Sequence, residues 1–181
     1  TETKDDSIEE LLASEEDSVS TGSQNNPLFE LFSFNPAIQQ YGQAAVIGYA
    51  QAKDTATINS YLSKPEIVRL RPQDLRYAKF RWGTAEEESS VVGLYALQSD
   101  RSGTPAMDGD VVQDSRQQYT QSGLPSVGID FEGQGPGKWA KLTGEVANEG
   151  SAIAIVLDDV VYSAATAKAE ITGGATEISG S

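Results

Sequence analysis

Cysteine and histidine are both missing from this 181-residue chain. Their absence excludes thiol nucleophiles, Ser-His triads, CxxC redox chemistry and the usual zinc ligands, so any metal would have to be held by carboxylates. No disulfide can staple the fold, yet 38% of the residues are hydrophobic, enough at this length for a real core in one domain or two small subdomains. The missing cysteines fit periplasm and cytosol alike. Long apolar runs are absent too: none approaches the roughly 20 residues of a membrane-spanning helix. Basic residues are scarce, with 13 Lys and Arg against 27 Asp and Glu and a net charge of −14. Half of that charge lies in Thr1 to Asp17, where Glu2, Asp5, Asp6, Glu9, Glu10, Glu15, Glu16 and Asp17 face the single Lys4. Such a balance argues against nucleic-acid or anionic-membrane binding, because phosphate contacts need clustered cations.

The one basic stripe is RLRPQDLRYAKFR, with Arg69, Arg71, Arg76, Lys79 and Arg81. It reads as a solvated face or as an internal pairing partner for the acids, with a weak anionic-partner site as the alternative. The chain has neither an initiator Met nor a signal peptide, and it stops at TEISGS within a strand pattern. The expectation is a section of a longer protein, with apolar spans of about 20 residues upstream of Thr1 and downstream of Ser181.

Along the chain, Asp6 and Glu9 have capping-box spacing ahead of a short helix over 7–16, and EEDSVSTGSQNN reads as a linker, so residues 1–26 form an acidic, flexible segment. NPLFELFSFNP then packs Leu28, Phe29, Leu31, Phe32 and Phe34 between two prolines. Two readings stand: a short core-facing helix, or an exposed apolar patch for a partner or an unfolded client. AAVIGYAQA predicts a buried strand, and KDTATINSYL a helix to about Leu62 with Asp54 as N-cap. Ser63-Lys64-Pro65-Glu66 is a capping box that should start a second helix running to about Leu70. YAKFRWG alternates Tyr77, Lys79 and Arg81 against Ala78, Phe80 and Trp82, the period of a strand, and VVGLYALQ continues it. The Gly and Pro density of SDRSGTPAMDGD marks a boundary near 99–109.

Beyond it, VVQDSRQQYT and PSVGIDFEG read as strands and GKWAKLTGEVAN as a helix, with Trp139, Leu142 and Val146 on one face and Asn148 and Gly150 as stop signals. SAIAIVLDDVVYSA reads as sheet interior folded into a hairpin, with Asp158-Asp159 as its turn. TGG between Ile171 and Ile178 predicts another hairpin. The half beyond the boundary reads as strands plus one helix, so the expected class is α+β.

Candidate chemistry is thin. Asp158 and Asp159 point to opposite sides of an extended backbone and cannot easily cooperate as acid and base. Asp108, Asp110 and Asp114 loosely follow a calcium loop, but without the required order or the terminal Glu. EGQGPG lacks the Lys-Ser/Thr of a phosphate loop, and Pro136 removes an N–H that an anion would use. Ser163 has no histidine to activate it. Neither a catalytic residue nor a cofactor or metal site is assigned.

TPAMDGDVVQDSRQQY (104–119), GLPSVGIDFEGQGPGKWAKLT (123–143) and AIAIVLDDVVYSA with EITGGATEISG (152–180) together resemble the first periplasmic domain of SecD and of fused SecDF proteins. VIGYAQAKDTATINSYL through YAKFRWG is similar to the more variable part of that domain. The chain departs from the family at Ala165, where proline is usual, and at Gly135-Pro136-Gly137-Lys138, where Gly-Ala-Lys-Lys/Arg is favoured. The resemblance implies a ferredoxin-like β-sheet with packed helices over 101–181 and a smaller variable α+β head subdomain over 27–100, in an accessory subunit of the Sec translocon at the periplasmic face of the bacterial inner membrane. In that family it supports proton-motive-force-driven export by contacting the translocating polypeptide. Its implied partners are unfolded polypeptide, and the SecY-E-G translocon and SecF through the parent protein, whose membrane helices lie elsewhere. For a weak grip on many sequences, an adaptable apolar surface suits better than a polar pocket, and Phe29, Phe32, Phe34, Tyr41 and Tyr49 are the candidate contacts. The other readings are a periplasmic docking domain of another resistance-nodulation-division type exporter, and a carboxylate enzyme such as a glycosidase.

Overall fold

The computed structural model describes residues 27–41, 44–73, 75–85, 89–99 and 101–179. The helix expected over 7–16 and the linker after it lie outside the described residues. The class is α+β, with two sheets and few helices. In chain order the elements are α1 (Pro27–Leu31), β1 (Phe32–Phe34), α2 (Pro36–Tyr41), β2 (Val46–Gln51), a 3-10 turn (Ala52–Asp54), α3 (Thr55–Leu62), α4 (Pro65–Arg69), β3 (Lys79–Gly83) and β4 (Val91–Leu97). A second 3-10 turn (Gly109–Val111) leads into β5 (Val112–Tyr119), followed by β6 (Pro125–Phe131), α5 (Gly135–Glu149), β7 (Ile153–Leu157), β8 (Val160–Ala165) and β9 (Ala175–Ser179).

One sheet has the order β1-β2-β4-β3-β8-β7, the other β5-β6-β9. The first is antiparallel except where β8 joins β3 in parallel, Trp82 opposite Val160 and Gly83 opposite Val161. Strands from 27–100 and from 101–181 thus share one sheet. Alternation sends Phe32, Phe34, Ala50 and Leu94 to one face and Ser33, Tyr49, Gly93 and Tyr95 to the other. α3 covers the first face, where Ile58 meets Phe32, Ala50 and Leu94, flanked by Leu28, Leu31, Leu62, Phe80 and Trp82. Each fully buried aliphatic side chain there contributes about 1.5–3 kcal/mol.

The second core lies under α5, where Val111, Phe131 and Trp139 pack with Ile129, Leu142, Ile153 and Ile171. The rings of Phe131 and Trp139 stand 5.2 Å apart. The buried face of α5 carries Trp139, Ala140, Thr143 and Val146, and the helix ends at Gly150 in the left-handed region, its N–H donating to the Val146 carbonyl. Pro136 sits in the first turn, where a missing N–H is harmless. Gly135 admits close packing, since a Cβ there would stand 2.9 Å from that of Phe131.

Four local expectations are corrected. The Ser63 hydroxyl does not cap α4. It donates back to the carbonyls of Asn59 and Ser60, and Lys64 occupies the N-cap without a side-chain bond. Asp54 precedes α3 but makes no capping bond, and Thr55 Oγ1 donates to the Ala52 carbonyl instead. The Ile171–Ile178 hairpin does not form, because the Ile171 N–H is taken by Thr143 Oγ1 of α5 at 2.9 Å, while β9 pairs with β6. Finally, the apolar ribbon 151–164 does make the expected hairpin, with Asp158 and Asp159 at φ 49 and 65 as its turn, but β7 is an edge strand. Val161 is buried, whereas Leu157 and Tyr162 are 60% and 58% exposed. A bulge opposite Ile155 and Val156 turns Tyr162 out of register.

Candidate functional site

The segment 27–34 changes from helix to strand between Leu31 and Phe32, and this change sorts its aromatics. Leu28 and Leu31 dip from α1 into the core, and Phe32 follows them at 5% exposure. Phe29 and Phe34 stay outside at 47% and 51%. Their rings form a continuous surface: Phe29 to Phe34 is 5.6 Å between centroids, and Phe34 to Phe32 is 5.0 Å, edge to face. Phe32 therefore acts as the buried base on which the exposed Phe34 rests.

The placement of β1 is held by Asn35. Its N–H donates to the Ile47 carbonyl at 3.0 Å, its Nδ2 to the Val46 carbonyl at 2.8 Å, and its Oδ1 accepts from the Ala37 N–H that opens α2. Pro36 then starts α2. Gly48 lies beneath the Phe32 ring, and any Cβ there would overlap the ring and the Ser33 carbonyl. The patch thus rests on the absence of a side chain at Gly48 and on the side-chain amide of Asn35.

Tyr49 is 41% exposed but belongs to the opposite face, paired with Ser33 and Gly93. Beside it Tyr95 lies over two glycines, its ring 3.0 Å from where a Cβ of Gly83 would be. Burial pushes the Tyr95 phenol above its ordinary value of 10.0, and the neighbouring Tyr49 adds to the rise. Tyr41 ends α2, and its side chain lies outside what is described. The sequence-derived set therefore divides into the exposed pair Phe29 and Phe34, their buried support Phe32, and Tyr49 across the sheet.

Tyr49 also lines a cleft of about 260 Å³, together with Leu31, Ser33, Ala50, Gln51, Val91 and the acids Glu30 and Asp54. A larger, shallower hollow of about 470 Å³ opens before α5, lined by Asp110, Glu132, Gln134 and Lys138. Two carboxylates against one Lys make it a poor anion site, in line with the missing phosphate-loop residues. Among the described residues no group of three or more acids could hold a metal. Asp108 Oδ1 accepts from the Gly109 N–H, and Asp114 pairs with Arg116, which also binds Asp130 across to β6.

The basic stripe is largely consumed internally. Arg71 donates to the carbonyls of Ala78 and Leu62 and stacks on Phe80, 4.8 Å from the ring centre. Lys79 donates to the Gly103 carbonyl, and Arg81 pairs with Asp159. Backbone carbonyls, more than acids, are its partners. Sequence reasoning missed the exposure of Val156, Leu157 and Tyr162 in the far hairpin. The signal was present in the Asp-Asp turn itself, since a tight hairpin at a sheet margin leaves its tip in solvent.

Comparison with known proteins agrees with the resemblance seen in the sequence. A family model described as SecDF, P1 head subdomain, matches residues 86–181. The protein translocase subunit SecD of Rhodothermus marinus is 33% identical over 99% of this chain and 27% of its own length. The protein translocase subunit SecDF of Thermus thermophilus is 30% identical over 80% of this chain and 18% of its own. A crystal structure of SecDF in a super-membrane-facing form aligns with 80% of this chain and 18% of its own, at 28% identity and a TM-score of 0.39. The chain spans about a quarter or less of the length of these relatives. Among the described residues no helix is long and apolar enough to cross a membrane.

Proposed function

Because the chain belongs to the SecD/SecDF protein translocase family, we propose that it is part of the first periplasmic domain of a Sec translocon accessory subunit and contacts polypeptide emerging during proton-motive-force-driven export. In this reading the parent sits in the bacterial inner membrane, works with the SecY-E-G translocon and SecF, and places this portion on the periplasmic side. The domain acts by binding, without making or breaking covalent bonds in its client. Residues 27–100 supply the client-contact patch, and 101–181 supply most of the remaining α+β body. The family match over 86–181 supports this assignment over a docking domain of another exporter type.

The single observation that carries client contact is the pair Phe29 and Phe34, two large apolar rings half in solvent on a buried aromatic base. Apolar surface of this kind, grouped on a structured support, marks an interaction site. Backbone ordering in the client costs free energy, so such a surface grips weakly and releases readily, which suits a moving chain. The test is a photo-reactive phenylalanine analogue at position 34 of the full-length parent, with an export substrate arrested in the translocon. The expected result is a crosslink to the substrate from position 34 and none from the exposed, remote position 170. Equal labelling from both, or from neither, overturns the reading.

A further inference from the structure

The face of the large sheet opposite α3 carries Tyr49 and Tyr95, and a cleft beside α1 is lined by Tyr49 and Ser33 from that face together with Ala50 and Leu31 from the margin of the α3 core. At about 260 Å³, this cleft falls below the roughly 300–1,000 Å³ typical of small-molecule sites, so it suits one side chain of a larger partner. Its walls are mixed in a specific way. Leu31, Ala50 and Val91 are apolar, Ser33 and Gln51 are polar, the half-exposed Tyr49 ring stands among them, and Glu30 and Asp54 add two carboxylates, with no basic residue in the lining among the described residues. Among the described residues neither carboxylate forms an ion pair or a side-chain hydrogen bond, and Asp54 leaves the N-cap of α3 unused. The neighbouring Lys53 is exposed and does not line the cleft.

We infer that this cleft takes the side chain of a lysine or arginine from an extended polypeptide. The match is one of chemistry. A basic side chain has an apolar stem of three or four methylenes and a cation at its end. The stem would lie along Leu31 and Val91, and the cation would meet the carboxylates and the Tyr49 ring. A neutral apolar side chain would leave both acids unpaired, and an acidic one would be repelled. The net charge of −14 draws basic segments toward the domain, while the cleft selects where they sit.

This inference rests on the client-contact reading and makes it more specific, so the experiment separates the two. The full-length parent in nanodiscs is titrated with fluorescein-labelled extended peptides that differ only at one central position, Lys, Arg or norleucine. The expected result is about fivefold tighter binding of the Lys and Arg peptides at low salt, reduced to parity by Glu30→Gln with Asp54→Asn. Norleucine-peptide binding should not weaken in that variant, and an unaltered circular-dichroism spectrum reports that the fold is intact. Removing two exposed acids elsewhere, Glu149→Gln with Glu170→Gln, should leave the preference in place. Carbodiimide coupling of the Lys peptide should join it to Glu30 or Asp54, as read by mass spectrometry. Binding of all three peptides without preference, persistence of the preference in the Glu30/Asp54 variant, or coupling only to other acids overturns the cleft assignment and leaves client contact standing. Failure of every peptide to bind overturns both.

Discussion

Arg81 on β3 and Asp159 in the β7–β8 turn meet across 78 positions of sequence, with both Nε and Nη2 of the guanidinium 2.9 Å from the same carboxylate oxygen. The pair sits where β8 joins β3, so it ties the turn of the late hairpin to the middle of the large sheet. Asp159 is well exposed, so the pair is worth only about 0–1 kcal/mol. Its neighbour Asp158 adopts φ 49 with no ion pair among the described residues in return, a conformation in which a non-glycine residue costs about 1 kcal/mol. Asp158→Gly should therefore raise the urea midpoint, whereas Asp159→Gly should change it little, because relief of backbone strain is offset by loss of the pair. Asp159→Asn, which tolerates the same backbone, should lower the midpoint slightly, and high salt should erase that difference.

Gly48 should be intolerant of any side chain. A Cβ there would overlap the Phe32 ring and the Ser33 carbonyl, so Gly48→Ala must displace β1 or the ring. A destabilisation of about 1–3 kcal/mol is expected in chemical denaturation. Gly109→Ala, where a Cβ would meet nothing within 4 Å, serves as the comparison and should cost less.

Thr143 is fully buried and joins two elements through one hydroxyl. It donates to the Trp139 carbonyl at 2.8 Å and accepts from the Ile171 N–H at 2.9 Å. Thr143→Val keeps the shape but strands the Ile171 N–H, with an expected loss of about 1–3 kcal/mol. Thr143→Ser should retain most of the stability. Amide hydrogen exchange at Ile171 should accelerate in the Val variant and stay slow in the Ser variant, a contrast that packing alone does not produce.

Tyr95 should impose an alkaline limit on stability. Its phenol is held above 10.0 in the fold, chiefly by burial and next by Tyr49, so the folded state keeps the proton that the unfolded chain releases first. Stability is then intact below the ordinary tyrosine value and declines as pH rises through it toward the higher folded value. Tyr95→Phe preserves the ring over Gly83 and removes the proton. Its denaturation midpoint should fall less steeply than that of the parent chain above pH 10, and the two slopes should coincide near neutrality.

Much of the fold is legible in local pattern. The alternation of YAKFRWG, the spacing of Trp139 and Val146, and Gly150 after α5 each depend on neighbours a few residues away, and the elements stand where they indicate. The capping box at Ser63 did not form. Ser63 has two partners within reach, and the carbonyls ending α3 took its hydroxyl before the amides opening α4 could. Ile171 shows the same competition over a longer distance, since its N–H met a buried threonine in place of a neighbouring strand.

The candidate site was legible only as a list of aromatics. Phe29, Phe32 and Phe34 are chemically identical in the sequence, and nothing local says which one the core will take. That depends on the helix-to-strand change after Leu31 and on Gly48, which leaves room for one ring.

Composition and local spacing alone determined that this protein lacks thiol and imidazole chemistry, carries strong negative charge, and forms an α+β body with a tight Asp-Asp hairpin, because side-chain type and near-neighbour geometry do not depend on distant contacts. Only the tertiary structure decided that the apolar ribbon lies at a sheet margin, that Tyr49 faces away from the phenylalanines, and that Glu30 and Asp54 share a cleft. Those outcomes follow from strand order, and strand order is set by which distant surfaces exclude water together.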